Sequence, residues 1–389
     1  MNIQSKLPNV GTTIFTVMSQ MAIDNNAINL GQGFPDFNPH PELVHLVSQA
    51  VEQGHNQYAA MSGVPALRHQ ISKKIKTLYS HYYDPDTEIT VTSGATEALM
   101  ATILALVNAG DEVIVIEPVY DLYIPAIALA GGIPVVVPMI PPNEEQPKYS
   151  MDWQRVRDSI TARTRMIILN FPHNPTGNIL AEHELDILES IVHDTGILIL
   201  SDEAYEHIVF DGEPHRSIST RRALANNAIV VFSFGKTFHT TGWKIGYCTA
   251  PAKLTAEIRK VHQFSVFSVN TPMQYALGQF LENPQHYMNL SGFYQAKRDY
   301  FSSALATSRF KPLVSQGTFF LLADYSSISN EAEMQFAQKM TKEHGVTAIP
   351  MAAFYQNPEA PESNHGLVRL CFAKQNATLD AALERLKQI

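Results

Sequence analysis

Seven short apolar runs rich in β-branched residues punctuate the middle of the chain. They are Glu88–Thr92, Glu112–Glu117, Ile133–Pro138, Arg165–Asn170, Ile197–Ser201, Ile229–Ser233 and Ile245–Thr249. Between most of them the apolar positions change to helical spacing, as in Thr96–Val107 and Glu182–His193. Strands apolar at successive positions are buried on both faces, so the pattern predicts an α/β fold whose mostly parallel seven-stranded sheet is covered by helices. The last two runs are joined by a loop that carries Lys236 and no helical pattern, which allows an antiparallel pairing there.

Beyond about Asn283 the pattern changes. A long helix over Gly292–Leu305, strands over Gly317–Asp324 and Leu367–Phe372, and a last helix with Asn376 as its N-cap predict a smaller α+β unit. The first 45 or so residues show no strand–helix alternation and are expected to pack against that unit. The expected organisation is an N-terminal arm with part of the small domain (1–45), a large domain (46–290) and a small C-terminal domain (291–389). Repeats are absent, and Pro138–Pro147 reads as a loop rather than a linker.

Composition narrows the function classes. A chain of 389 residues with 45% hydrophobic content can bury a sizeable core. A formal charge of −9 argues against a nucleic-acid binder that neutralises phosphates and suits a handler of small metabolites. Two cysteines, Cys248 and Cys371, are too few for a disulfide framework and lie in apolar runs, as buried thiols do. No apolar run reaches the length of a membrane span, and Met1–Val10 has Lys6 but no apolar stretch behind it. The expected compartment is the cytoplasm.

In an open α/β sheet, ligands sit beyond the carboxyl ends of the strands. The polar residues at those ends are Ser93-Gly94-Ala95-Thr96, Tyr120, Asn174, Asp202 with Tyr205, and Ser233 with Lys236. The first group is either an anion cradle at a helix N-terminus or an ordinary capped turn. Lys236 is either a desolvated, nucleophilic amine or a solvated loop lysine. Lys244, eight residues on, could serve a phosphate or depress the Lys236 pKa. Asp202 could hold a ring N–H⁺ or cap a helix, while Glu203 reads as structural. Asn174, in the proline-stiffened Asn170–Gly177, either points at a ligand or is a turn residue. Fifteen histidines invite a metal, but His173, His207 and His239 are isolated, and neither HExxH, GxSxG, Walker A nor GxGxxG occurs. One ligand accounts for a phosphate cradle, a reactive lysine, a carboxylate for a ring nitrogen and polar groups for a ring hydroxyl: pyridoxal phosphate.

Ser233–Lys236 with Gly242-Trp243-Lys244 resembles the lysine signature of class I aminotransferases of pyridoxal-phosphate fold type I. Gly31-Gln32-Gly33-Phe34-Pro35-Asp36, Asn170–Gly177, Ser201–Tyr205 and Val368-Arg369-Leu370 resemble the family's other motifs, in the family's order. The likeness covers nearly the whole chain and is nearest to bacterial methionine aminotransferases and kynurenine/glutamine aminotransferases. It implies that Lys236 forms the Schiff base and shuttles the proton, and that Asp202 pairs the pyridinium nitrogen. Tyr205 and Asn174 would bond the ring oxygen, and Tyr120 would stack on the ring. Ala95, Thr96, Ser233 and Lys244 would hold the phosphate, with Tyr58 reaching it from the partner of a homodimer whose active sites are shared. Lys244 stands where many relatives carry Arg, keeping the charge but not the bidentate fork. Arg369 would take the substrate carboxylate, assisted by Gly33 and Asn174. Positions like Phe15, Tyr58, Phe264 and Phe267 wall the side-chain pocket in the subgroup, which implies methionine or aromatic donors and a 2-oxo acid acceptor. The same scaffold also serves kynurenine aminotransferases and C–S β-lyases of cysteine conjugates. A pyridoxal-phosphate-binding regulator would need a basic DNA-binding extension, and none fits before Gly31.

Overall fold

The computed structural model describes residues 3–389; Met1 and Asn2, the start of the segment read for a leader, lie outside the described residues. All seven apolar runs are strands of one sheet. Its order is Ile89–Thr92, Gly246–Thr249, Ala228–Ser233, Leu198–Asp202, Thr164–Asn170, Glu112–Glu117, Ile133–Pro138. Gly246–Thr249 runs antiparallel to both its neighbours, and the other pairings are parallel. Successive residues face opposite cores. Val113, Val115, Ile168, Leu200 and Val231 join Leu99, Ile103 and Ile258 on one side. Ile114, Ile116, Ile167, Ile199 and Val230 join Leu67, Ile71, Leu188 and Ile191 on the other. Helices on both faces are what such uninterrupted apolar strands require.

A second sheet of four antiparallel strands runs in the order Ile349–Pro350, Leu367–Cys371, Phe320–Asp324, Lys311–Pro312. The strand expected from Gly317 begins at Phe320, because Thr318 has φ +65° and breaks the extended run. Near the N-terminus, Ile28–Asn29 pairs in parallel with Val346–Thr347, and helix Ile14–Asp24 packs on helix Glu333–His344. The next helix, Pro41–Glu52, runs across residue 45 and packs instead on Thr271–Phe280. Asn376 is the first helical residue rather than the cap. The cap is Gln375, and the carboxylate comes from afar: Asp36 accepts from the Gln375 N–H and the Thr378 hydroxyl, each at 2.6 Å. Both thiols are buried and free. No helix among the described residues is long and apolar enough to cross a membrane.

Candidate active site

The carboxyl ends of the parallel strands open onto a cavity of about 320 Å³. Twelve of the expected residues line it: Phe15, Gly33, Ala95, Thr96, Tyr120, Asn174, Asp202, Tyr205, Ser233, Lys236, Lys244 and Arg369. They come from both sheets and from the N-terminal arm, so the fold alone brings them together.

At one end the strand Ile89–Thr92 turns into helix Gly94–Leu106, two residues earlier than the apolar spacing predicts. The turn is therefore the helix N-terminus itself, with its free N–H groups and partial positive charge. Gly94 has φ +74°, and a Cβ there would stand 3.2 Å from the Lys244 ammonium. Lys244 donates to the Thr96 hydroxyl at 3.3 Å. Backbone N–H groups, hydroxyls and an ammonium form a donor set suited to a phosphate dianion.

Lys236 lies on a short helix, Phe234–Thr237, that the sequence pattern does not signal. Its Nζ donates to the Gly33 carbonyl at 2.8 Å. Burial pushes its pKa down to about 8, and the Arg369 and Lys244 charges push the same way. An amine so placed is partly neutral near neutral pH, as a nucleophile or base must be.

Asp202 ends its strand, buried. Its Oδ2 accepts from the Tyr123 hydroxyl at 2.8 Å and its Oδ1 from the Ala204 N–H at 3.1 Å. Burial lifts its pKa to about 6, against the pull of those two bonds. A buried carboxylate held short of full neutralisation is the partner a ring N–H⁺ needs. Neighbouring Glu203 is structural, accepting from the Ser201 hydroxyl and the Ile218 N–H while pairing with His215.

At the other end Arg369 is fully buried. Its Nη1 donates to Asn174 Oδ1 at 2.6 Å and its Nη2 to the Gly31 carbonyl at 2.9 Å, while Nε has no partner. The guanidinium lies 3.8 Å from the Phe320 ring centre and 5.3 Å from that of Phe15. Burial lowers its pKa to about 10, so it keeps its charge at neutral pH. A buried cation with an orphaned donor has the charge and the free N–H to receive a carboxylate. Gly33 belongs to this end as well: a Cβ on it would meet Phe320 at 2.7 Å.

Three expected residues do not line this chain's cavity. Tyr58 is 83% exposed, Phe264 86% and Phe267 47%. Helix Ala252–Ser265 turns Thr255, Ile258 and His262 inward, which leaves Phe264 outward, and Phe267 follows the helix at φ +68°. Tyr58 and Phe267 meet edge to face at 5.4 Å. Phe264 and Phe267 stand outside the cavity of a single chain, whose aromatic lining besides Phe15, Tyr120 and Tyr205 is Phe34 and Phe320. Sequence reasoning also missed Tyr123 and Asn170. Asn170 donates to the Asp202 carbonyl at 2.9 Å and accepts from the Asn174 N–H at 3.0 Å. Its position as the last residue of a strand is a signal that could have found it, whereas Tyr123 inside an apolar helix reads as core.

The family model for aminotransferases of class I and II matches residues 25–386. The chain belongs to this family. Its cofactor is pyridoxal 5'-phosphate, and the donor set above fits it at the phosphate, the ring nitrogen and the reactive lysine. The aminotransferase is 49% identical to a methionine aminotransferase of Escherichia coli over 99% of this chain and 98% of that one. It is 35% identical to a kynurenine–oxoglutarate transaminase of Dictyostelium discoideum over 97% and 94%. The crystal structure of YbdL from Escherichia coli, which identifies a methionine aminotransferase function, superposes with a TM-score of 0.95 at 49% identity, covering both chains completely.

Proposed function

We propose that this aminotransferase takes its amino group from methionine or an aromatic amino acid and passes it to a 2-oxo acid. One observation carries the reading. Among the described residues lining the cavity, Arg369 is the one cation left after Lys236 and Lys244; the Phe15 and Phe320 rings lie against it, and Phe34 lines the same cavity. Arg369 suits the α-carboxylate that every donor carries. The rings suit a thioether or an aromatic side chain, since sulfur packs well on ring edges. The likeness to a methionine aminotransferase supports the first, and that to a kynurenine–oxoglutarate transaminase fits the second.

When bound, pyridoxal phosphate supplies an aldehyde that captures the amino group and a ring that delocalises the charge left by the departing α-proton. The protein does the rest. Lys236 holds the cofactor and then, as a neutral amine, takes the α-proton and returns it. Asp202 keeps the ring nitrogen protonated. Asn174 and Tyr205 would hold the ring oxygen, Tyr120 would cover the ring, and Ala95, Thr96, Ser233 and Lys244 would grip the phosphate. Gly33 and Asn174 assist Arg369.

The active species in this reading is a homodimer. Tyr58, Phe264 and Phe267 give each chain an exposed aromatic surface, and Tyr58 of the partner subunit would reach the phosphate. Two free buried thiols suit a cytoplasmic setting.

A single turnover with methionine tests the reaction. The expected product is one equivalent of the 2-oxo acid, with the amino group retained on the enzyme. Release of ammonia with a shortened oxo acid would mean elimination of the side chain and would overturn the assignment.

A further inference from the structure

His262 stands on helix Ala252–Ser265, fully buried and outside the cavity lining. Its Nδ1 lies 2.9 Å from Glu97 Oε1 and its Nε2 lies 2.9 Å from the Met61 carbonyl oxygen. A carbonyl oxygen only accepts, and so does an ionised carboxylate. Two acceptors facing the two ring nitrogens suit a ring that donates from both, which is the imidazolium form.

What the ring joins gives this charge its use. The second oxygen of Glu97 accepts from the Ser93 N–H at 3.1 Å, where the turn Ser93–Thr96 begins. Met61 belongs to the segment that carries Tyr58. That segment is tied again to the stretch after the helix: Ser268 Oγ donates to the Ala59 carbonyl at 3.1 Å and Thr271 Oγ1 to the Gln57 carbonyl at 2.7 Å.

We propose that His262 is a positioning residue: as a buried cation it locks the phosphate-holding turn to the Tyr58 segment, and losing its proton loosens the enzyme's hold on the cofactor phosphate. The proposal rests on reading Ser93–Thr96 as the phosphate cradle. Burial alone would lower the pKa of His262, but the bond and charge of Glu97 and the Met61 carbonyl outweigh it and raise it above the ordinary histidine value. Arg259, on the same helix, opposes them. The helix Gly94–Leu106 brings Glu97, and Cys248 and Lys244 are the other titratable groups near that carboxylate. The adjoining strand Ile89–Thr92 brings none. The lock is present below the raised pKa and is lost as pH rises through it.

The test measures dissociation constants of pyridoxal 5'-phosphate and of pyridoxal from pH 6 to 9.5 in the wild type, His262→Gln and Glu97→Gln. The phosphate ester should bind His262→Gln roughly tenfold more weakly at pH 6.5, the size of one weakened charge-assisted bond. The gap should close by pH 9.5, and pyridoxal should show no gap. A ratio constant across pH, or an equal loss for pyridoxal, would overturn the proposal. Wild-type enzyme that bound pyridoxal as tightly as its phosphate would instead refute the cradle reading. If His262→Gln does not fold, Glu97→Gln carries the same comparison, since its amide keeps an acceptor without the charge. A ¹⁵N-histidine spectrum of wild-type holoenzyme at pH 6 gives a readout free of any variant: the His262 signals should lie in the imidazolium range, and a neutral tautomer would contradict the assignment.

Discussion

Asp202 shows how one carboxylate is made useful at the expense of the empty protein. Its pKa stands at about 6 rather than the ordinary 3.8, with burial as the main cause. The folded, cofactor-free chain therefore binds this proton more tightly than the unfolded chain, and stability falls as pH rises between those values. Asp202→Asn removes that cost. Denaturant unfolding of the cofactor-free enzyme should show the variant more stable than wild type at pH 7 by about 1–3 kcal/mol, with the difference gone near pH 4. Turnover of the same variant should fall by roughly a hundredfold or more while cofactor occupancy changes less, because an amide cannot hold the ring proton. A destabilised variant with near-normal turnover would contradict both roles. At this scale much was legible. Lys236, Asp202 and Arg369 are polar residues at strand ends or in an otherwise apolar strand, where a charge needs a reason. Tyr123 was not, because a tyrosine in the run Tyr123–Ala130 looks like core until its hydroxyl is seen on Asp202.

At the scale of elements, the arm around Gly33 meets the strand Phe320–Asp324 and its neighbour Leu367–Cys371, where Leu322 pairs with Arg369. Phe320 covers the guanidinium, and Gly33 leaves room for Phe320. A methyl group at residue 33 must displace that ring and tilt the carboxylate receptor. Gly33→Ala should raise KM for the amino donor about 10- to 100-fold, a misplacement effect, and leave cofactor binding nearly intact. Steady-state kinetics with absorbance titration of the cofactor separates the two; unchanged KM would show that Phe320 yields without moving Arg369. The central strands were readable because they are apolar on both faces, and the two at the antiparallel end because they are short runs of β-branched, aromatic and small residues without a charge. Helix starts were less so. The helix after Ser93 begins at a glycine with positive φ, which no apolar spacing marks, and the start of the last helix is held by Asp36 from across the fold.

For the whole molecule, the twelve cavity residues of one chain leave Tyr58, Phe264 and Phe267 facing outward. Sequence spacing cannot show which molecule an exposed side chain serves: the expectation that Tyr58 serves the partner comes from the family resemblance, and Phe264 and Phe267 are legible as aromatics but not in their placement. Shared sites make a sharp forecast. Mixing inactive Lys236→Ala chains with inactive Tyr58→Ala chains should restore up to about a quarter of the activity per heterodimer-forming mixture, since half the chains pair unlike and each such pair rebuilds one site. No recovery from proven heterodimers would refute sharing. The central claim concerns what the assembled cavity accepts, and kcat/KM for methionine, phenylalanine and aspartate with one common 2-oxo acid tests it most directly. A second carboxylate against the Phe15 and Phe320 rings would be buried with no cation of its own, since Arg369 is committed to the α-carboxylate, so aspartate should fall below methionine and phenylalanine by at least about a hundredfold. Aspartate equal to methionine would mean that a cation reaches the side-chain end of the cavity, and would contradict the account.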